Sequence, residues 1–141
     1  MKFWSKEWME AIKEKSQVDK DYLGKTKGWS TKFYWVQIGA PDGVDKSMEF
    51  HLKDGKIEFA NQEEKPAPSD LGTRAWDQKE YLIRGVGPYV AWKRVHTGEW
   101  TMMQMLGAGT TVMEGNTQAL MTNMTPFMAF LDLVASVPAE Y

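Results

Sequence analysis

The chain contains no cysteine and only two histidines, His51 and His96. Without thiols, the fold cannot rest on disulfides, and neither a thiolate metal site nor a cysteine nucleophile is available. An excess of positive charge is also missing. Seventeen basic residues stand against 19 acidic ones, for a net charge of −2. That balance excludes a general nucleic-acid binder, which needs a basic patch. Long apolar runs are absent too: the stretch from Leu120 to Val137 is interrupted by Asn123, Pro126 and Asp132. A bilayer span needs about 20 mostly apolar residues. The first residues, Met-Lys-Phe-Trp-Ser-Lys-Glu-Trp, carry charge throughout and lack the apolar core of a signal peptide, so a cytoplasmic location is expected. Asn123-Met124-Thr125 fits a glycosylation acceptor but has no secretory context.

The most informative absence is local. From Trp100 to Val137 there is no Lys or Arg, the only charges are Glu114 and Asp132, and seven of the ten methionines lie there. Unbranched thioethers repack at low cost around apolar shapes that vary. Such a stretch either fills an irregular core or holds an apolar guest, and composition alone leaves both open. The 141 residues, 43% hydrophobic and 26% charged, suit one domain over residues 1–141.

Trp4, Trp8, Ala11 and Ile12 recur at helical spacing and predict an amphipathic helix over about 5–16. A polar loop is expected over 17–28. Residues 29–38 are dense in aromatic and β-branched side chains and predict a strand buried on both faces. After the turn at Pro41-Asp42-Gly43, apolar Met48, Phe50 and Leu52 alternate with polar neighbours. Asp54-Gly55 then leads to a second alternating run with Ile57 and Phe59, the pattern of a tight hairpin. An exposed loop over 61–71 and a short strand over 73–76 follow. Asp77-x-x-Glu80 resembles a capping box opening a helix that Gly85 and Gly87 stop. Pro88 suits the start of a further helix ending at Gly98. A helical turn over 102–106, a strand over 110–114 and a final helical region capped by Asn116 complete the order. In that last region Pro126 marks a kink or restart, with Thr125 as its cap. Hairpins dominate over strand–helix–strand units, so the class is α+β with a largely antiparallel sheet.

Little of the usual chemistry is legible. Gly24-Lys25-Thr26 resembles the end of a phosphate loop, but Asp19 stands where its first glycine belongs, and Gly85-x-Gly87 and Gly107-x-Gly109 lack a third glycine. The two histidines show no metal-ligand spacing, so no metal, no cofactor and no catalytic residue is assigned. Asp132, the only charge between residues 115 and 137, is read as solvent-facing or hydrogen-bonded. On a helical wheel Leu120, Met121, Met124, Phe127, Met128, Leu131 and Val134 share about half the circumference, wider than one buried stripe requires.

Ala91-Trp92-Lys93-x-Val95-x-x-Gly98-Glu99, a helical turn, and Leu106-Gly107-x-x-x-x-Val112-x-x-Gly115-Asn116 together resemble the C-terminal half of the sterol carrier protein two family. The hairpin from Met48 to Phe59 resembles that family's central hairpin, and the likeness spans roughly residues 28–135. The sequence departs from the family outline at Ala108, where Lys commonly follows the glycine, and at the Gly85-Val86-Gly87-Pro88 break. The resemblance implies an α+β sheet of about five strands covered by helices, enclosing an apolar tunnel for lipids or fatty acyl groups. On that footing Met102, Met105, Met113, Leu120, Met124, Phe127, Met128 and Leu131 would line the cavity. Trp35, Phe50 and Trp92 would form its aromatic wall, and the last helix would be a movable cover. The expected partner is a fatty acid, an acyl-CoA or a sterol-like lipid, bound without covalent chemistry and with transient membrane contact as an option. Two alternatives stand beside it. One is a small cavity enzyme using Asp132, His96 or Tyr89; the other is a protein-interaction module presenting the Met-rich face.

Overall fold

In the computed structural model, which describes residues 1–141, four of the six helices begin at a side-chain cap that the sequence supplies. Helix α1 (Lys6–Val18) opens at Ser5, whose hydroxyl accepts from the Trp8 amide, and it buries Trp8, Met9 and Ile12 on one stripe. Helix α2 (Lys20–Lys25) is capped by Asp19, which accepts from the Tyr22 amide, so residues expected to be loop form a short helix. Strands β1 (Thr31–Ile38), β2 (Val44–Lys53) and β3 (Lys56–Pro66) then run as an antiparallel meander. Between β2 and β3, Asp54 and Gly55 both take positive φ, 52° and 83°, as the tight hairpin requires.

Strand β3 continues six residues beyond Ala60, through the polar Asn61–Pro66 stretch that reads as loop. Its polarity is that of an edge strand, where charge discourages pairing with other chains. Residues 73–76 form no strand, and the helix expected from Asp77 is absent. Asp77 caps only a turn, and the chain enters β4 (Ile83–Pro88), which pairs in parallel with β1 from Phe33↔Ile83 to Ile38↔Pro88. Helices α3 (Tyr89–His96) and α4 (Met102–Gly107) follow, the latter with a complete Thr101/Gln104 capping box. Strand β5 (Val112–Gly115) pairs antiparallel with β4. Helix α5 (Thr117–Thr122) is capped by Asn116, and α6 (Met124–Ala135) ends the order. The break between α5 and α6 lies at Asn123. Pro126 sits in the first turn of α6, where its missing N–H has no intrahelical acceptor, so it neither kinks the helix nor takes Thr125 as cap.

The result is a five-stranded mixed sheet, mostly antiparallel, in the order β3-β2-β1-β4-β5, with six helices. The helices bury Phe33, Trp35, Met48 and Phe50 against one face. The segment over 69–81 covers the other. Asp45 anchors it by accepting from the Ser69 amide and hydroxyl, at 3.1 and 2.7 Å, and buried Leu71 and Gly72 lie beside Val36 and Val86.

Candidate functional site

Alternation along β1 sends Phe33, Trp35 and Gln37 to the helix side, opposite Phe50, Met48 and Lys46 of β2. Phe130 of α6 lowers its ring into this surface, with centroids 4.6 Å from Phe33, 5.3 Å from Phe50 and 5.6 Å from Trp35. Trp92 of α3 lies 5.2 Å from Trp35 and 5.1 Å from Trp4. These are the separations of attractive offset and edge-to-face pairs. The indoles are not equivalent. Trp92 Nε1 donates to the Val36 carbonyl and Trp8 Nε1 to the Val137 carbonyl, each at 3.0 Å, whereas Trp35 Nε1 has no partner in the protein.

Trp4 holds the backbone in the left-handed region, φ 62°, a genuine outlier for a bulky residue. Its ring is 1% exposed among Trp35, Trp92 and Phe3, and its carbonyl accepts from Gln62 Nε2 at 3.0 Å. Strain of this kind persists only where surrounding contacts over-determine it, and it clusters at ligand clamps and switch regions.

Of the side chains expected from sequence to line a cavity, Trp35, Phe50, Trp92, Met102, Met105, Leu120, Phe127 and Leu131 enter one buried cluster. Met113 and Met124 pack half-buried against it, and Met128 is exposed on α6. The apolar cavity that remains is about 30 Å³, bounded chiefly by Trp4, Trp8, Trp35, Trp92, Met102 and Leu131. Ligand pockets are typically about 300–1,000 Å³, so in this conformation the rings themselves occupy the space between sheet and helices. Sequence reasoning missed Phe3, Trp4, Trp8, Phe33 and Phe130 as members. Phe33 was recoverable, since it shares the strand parity of Trp35. Trp4 shared the apolar spacing of Trp8, but it stands ahead of the Ser5 cap with φ 62° instead of inside the helix.

The groups considered for acid–base work are placed otherwise. Asp132 is exposed, near Asp19, Asp21 and Lys25. His96 borders the small cavity, but Nε2 lies 2.9 Å from the Val137 carbonyl and Nδ1 meets the Tyr141 hydroxyl. Burial raises the Tyr89 hydroxyl above its ordinary range, so it is a donor at neutral pH. No group of three or more His, Asp or Glu side chains is placed to hold a metal ion. Across the sheet, Arg74 binds Glu63 through two nitrogens, at 2.8 and 3.2 Å, and donates to the Tyr34 hydroxyl at 2.8 Å. That guanidinium holds the Glu63 carboxyl below its usual range.

No protein-family model matches the sequence, and no curated protein matches it. Solved structures do. A conserved hypothetical protein of Thermus thermophilus, described as possibly a sterol carrier protein, superposes with a TM-score of 0.75 at 15% identity, covering 99% of this chain and 92% of that one. A crystal structure of sterol carrier protein 2 gives 0.75 at 13% identity, covering 97% and 100%. Sterol carrier protein-2 like-3 of Aedes aegypti gives 0.53 at 15% identity, covering 86% and 94%. The chain has the sterol carrier protein fold. Within that fold the residues that carried the resemblance fall on the β2–β3 hairpin, which holds Met48 to Phe59, and on the second half: Trp92 in α3, Gly107 closing α4, and β5 as a sheet edge ending at Gly115 before the Asn116 cap. The Gly85-Val86-Gly87-Pro88 break, which departs from the family outline, is strand β4 at the centre of the parallel pairing. No helix is long and apolar enough to cross a membrane.

Proposed function

We propose that this protein binds, and carries, a hydrophobic small molecule of the fatty acid, acyl or sterol-like class between its sheet and its helices, without covalent chemistry. One observation supports the reading above others. In a sterol carrier fold, the strained Trp4 and a ring cluster with Met102 and Leu131 border an apolar cavity of only about 30 Å³. Loading a lipid then requires the rings and α6 to part. The Asn123 break lets α6 swing without disrupting α5, and thioethers of Met102, Met105, Met113 and Met124 repack as it moves. The lining would comprise these together with Trp35, Phe50, Trp92, Leu120, Phe127 and Leu131, while Met128 faces outward on α6. Exposed Met103 and Met121 give the protein apolar side chains for transient contact with a lipid surface.

Each methylene moved from water into such a space contributes about 0.8 kcal/mol. Association costs roughly 4–15 kcal/mol, so affinity rises steeply with chain length. The test is titration with a fluorescent fatty acid or acyl-CoA while tryptophan emission is followed. A saturable change is expected, and Met124→Trp should abolish it with the fold intact by circular dichroism. No saturable signal up to the solubility limit would overturn the proposal.

A further inference from the structure

Four buried side-chain polar atoms have no partner in the protein: Trp35 Nε1, both amide atoms of Gln37, and Thr111 Oγ1. Buried polar groups are paired in the great majority of cases, and an unpaired one forfeits its hydration without return. These four belong to three residues at one end of the sheet. Trp35 and Gln37 are two apart on β1, so they share a face, and the parallel register sets them opposite Gly85 and Gly87 of β4. Neither glycine contributes a side chain to that face. A Cβ on Gly85 would lie 3.6 Å from Trp35 Cδ1, the atom bonded to Nε1, and a Cβ on Gly87 would lie 2.6 Å from Thr111 Oγ1. The missing side chains let Thr111 close over Gly87, and Trp35, Trp92 and Met113 over Gly85, so an indole N–H, a carboxamide and a hydroxyl are gathered along one packed row of the sheet, a cradle that opens only as these side chains part.

The cradle lies where two cavities approach one another. Trp35 borders the 30 Å³ apolar void, Gln37 borders a separate cavity of about 140 Å³ with Lys46 and Tyr89, and Phe3 borders both. Lys46 is the cross-strand partner of Gln37. Its ammonium donates to Asp42 at 2.7 Å and to the Val44 carbonyl at 3.3 Å, so its charge is already matched.

We propose that this cradle receives the polar head of the carried molecule, and that the head is uncharged and both donates and accepts hydrogen bonds: a hydroxyl or a primary amide. The inference rests on the ligand-binding reading above. Gln37 and Thr111 each donate and accept, while Trp35 donates only. A hydroxyl or carboxamide satisfies that set. A carboxylate would lose its hydration there at a high cost, since the buried ammonium, Lys46, is already matched by Asp42 and Lys2, the other cation bordering the cavity of Gln37, stands exposed at the surface.

The experiment measures binding of dodecanol, dodecanamide, dodecanoate and dodecane to the full chain and to Gln37→Leu. The wild type should prefer dodecanol and dodecanamide to dodecanoate. Gln37→Leu should weaken the alcohol and the amide about tenfold or more, the loss of one to two hydrogen bonds, and leave dodecane unchanged or tighter. Thr111→Val should weaken the same two ligands in the same direction. Because Gln37 makes no side-chain bond in the protein, its replacement by Leu should not lower Tm. A lowered Tm would show that its amide is held in the ligand-free fold and would overturn the inference. So would equal shifts for all four ligands, no shift for any, or tightest binding of dodecanoate; in those cases saturable binding of dodecane keeps the carrier reading standing. Binding of none of the four would overturn both.

Discussion

Phe130→Ala should destabilise the protein by about 4 kcal/mol and, in the same stroke, give it a place for a small apolar guest. The ring is fully buried and meets Phe33, Trp35 and Phe50 at centroid separations of 4.6, 5.6 and 5.3 Å. Core Phe-to-Ala replacements cost roughly 3–5 kcal/mol, more where the hole cannot collapse. Two arguments place this site in the upper half. Each aromatic partner adds about 0.5–1.5 kcal/mol beyond area burial, and all three stand on β1 and β2, which are locked between neighbouring strands. At roughly 3 °C per kcal/mol for a chain of this size, Tm should fall by about 12 °C. The hole would be lined by aromatic carbon, and such cavities stay dry and take up benzene-sized molecules. Urea unfolding, followed by far-UV circular dichroism and repeated with benzene at about 100 times its Kd, should then recover about 2.7 kcal/mol. Met128→Ala, on the exposed side of the same helix, is the control and should stay within about 0.5 kcal/mol. A loss below about 1.5 kcal/mol would refute the close seating of α6 on the sheet. A full loss without recovery by benzene would show that the interior closes rather than accommodates.

Two further outcomes follow from single side chains. Tyr22 donates to the Gly55 carbonyl at 2.6 Å, and burial raises its phenol above the ordinary 10.0. The stability it contributes is complete below pH 10 and is lost as pH rises further, so Tyr22→Phe should cost about 1 kcal/mol at neutral pH yet flatten the alkaline decline. Urea midpoints measured across that range should converge, and parallel curves would refute the assignment. On β4, a Cβ at Gly85 meets nothing closer than 3.5 Å, whereas one at Gly87 meets Thr111 Oγ1 at 2.6 Å. Gly85→Ala should therefore be neutral or stabilising by about 0.5 kcal/mol, while Gly87→Ala costs about 1–3 kcal/mol and is rescued by Thr111→Ala. Equal thermal shifts for the two glycines would contradict the geometry.

Elements announced by local chemistry were legible in the sequence. The Asp54-Gly55 hairpin needs two positive φ values, and α5 carries a side-chain cap that reads directly as Asn116, whereas the Thr101 cap of α4 went unread. Strand β4 was not legible. Tyr81, Leu82 and Ile83 behind Asp77-x-x-Glu80 look like the opening of a helix, and the contacts that make Ile83–Pro88 a strand come from Phe33–Ile38, far earlier in the chain. Parallel pairing leaves no adjacent turn to betray it. Helix α2 was missed although its signal, Asp19 ahead of Lys20–Lys25, was present, because Gly24 and the polar composition read as loop. For the site, the methionines proved a weaker guide than the aromatics. Met102 and Met105 turn inward, Met103 and Met121 turn outward, and the rings that fill the interior come from both ends of the chain. Gln37 gave no warning in sequence, since a lone glutamine in an aromatic strand has no pattern to stand out from.

The indole of Trp8 reaches the Val137 carbonyl, 129 residues along the chain, and the Phe3 amide donates to Glu140 while the Glu140 amide donates to Met1. The interior is thus closed by segments as much as 129 residues apart in sequence. Contacts of such long separation are slow to form, because loop entropy must be overcome before they return anything. Until Phe3, Trp4 and Trp8 dock, the methionine-rich third, which has no Lys or Arg, lacks part of the surface it packs on, and apolar surface left open in this way favours self-association. Slow docking of Phe3 and Trp4 therefore lengthens the time for which this apolar surface stays open to other chains.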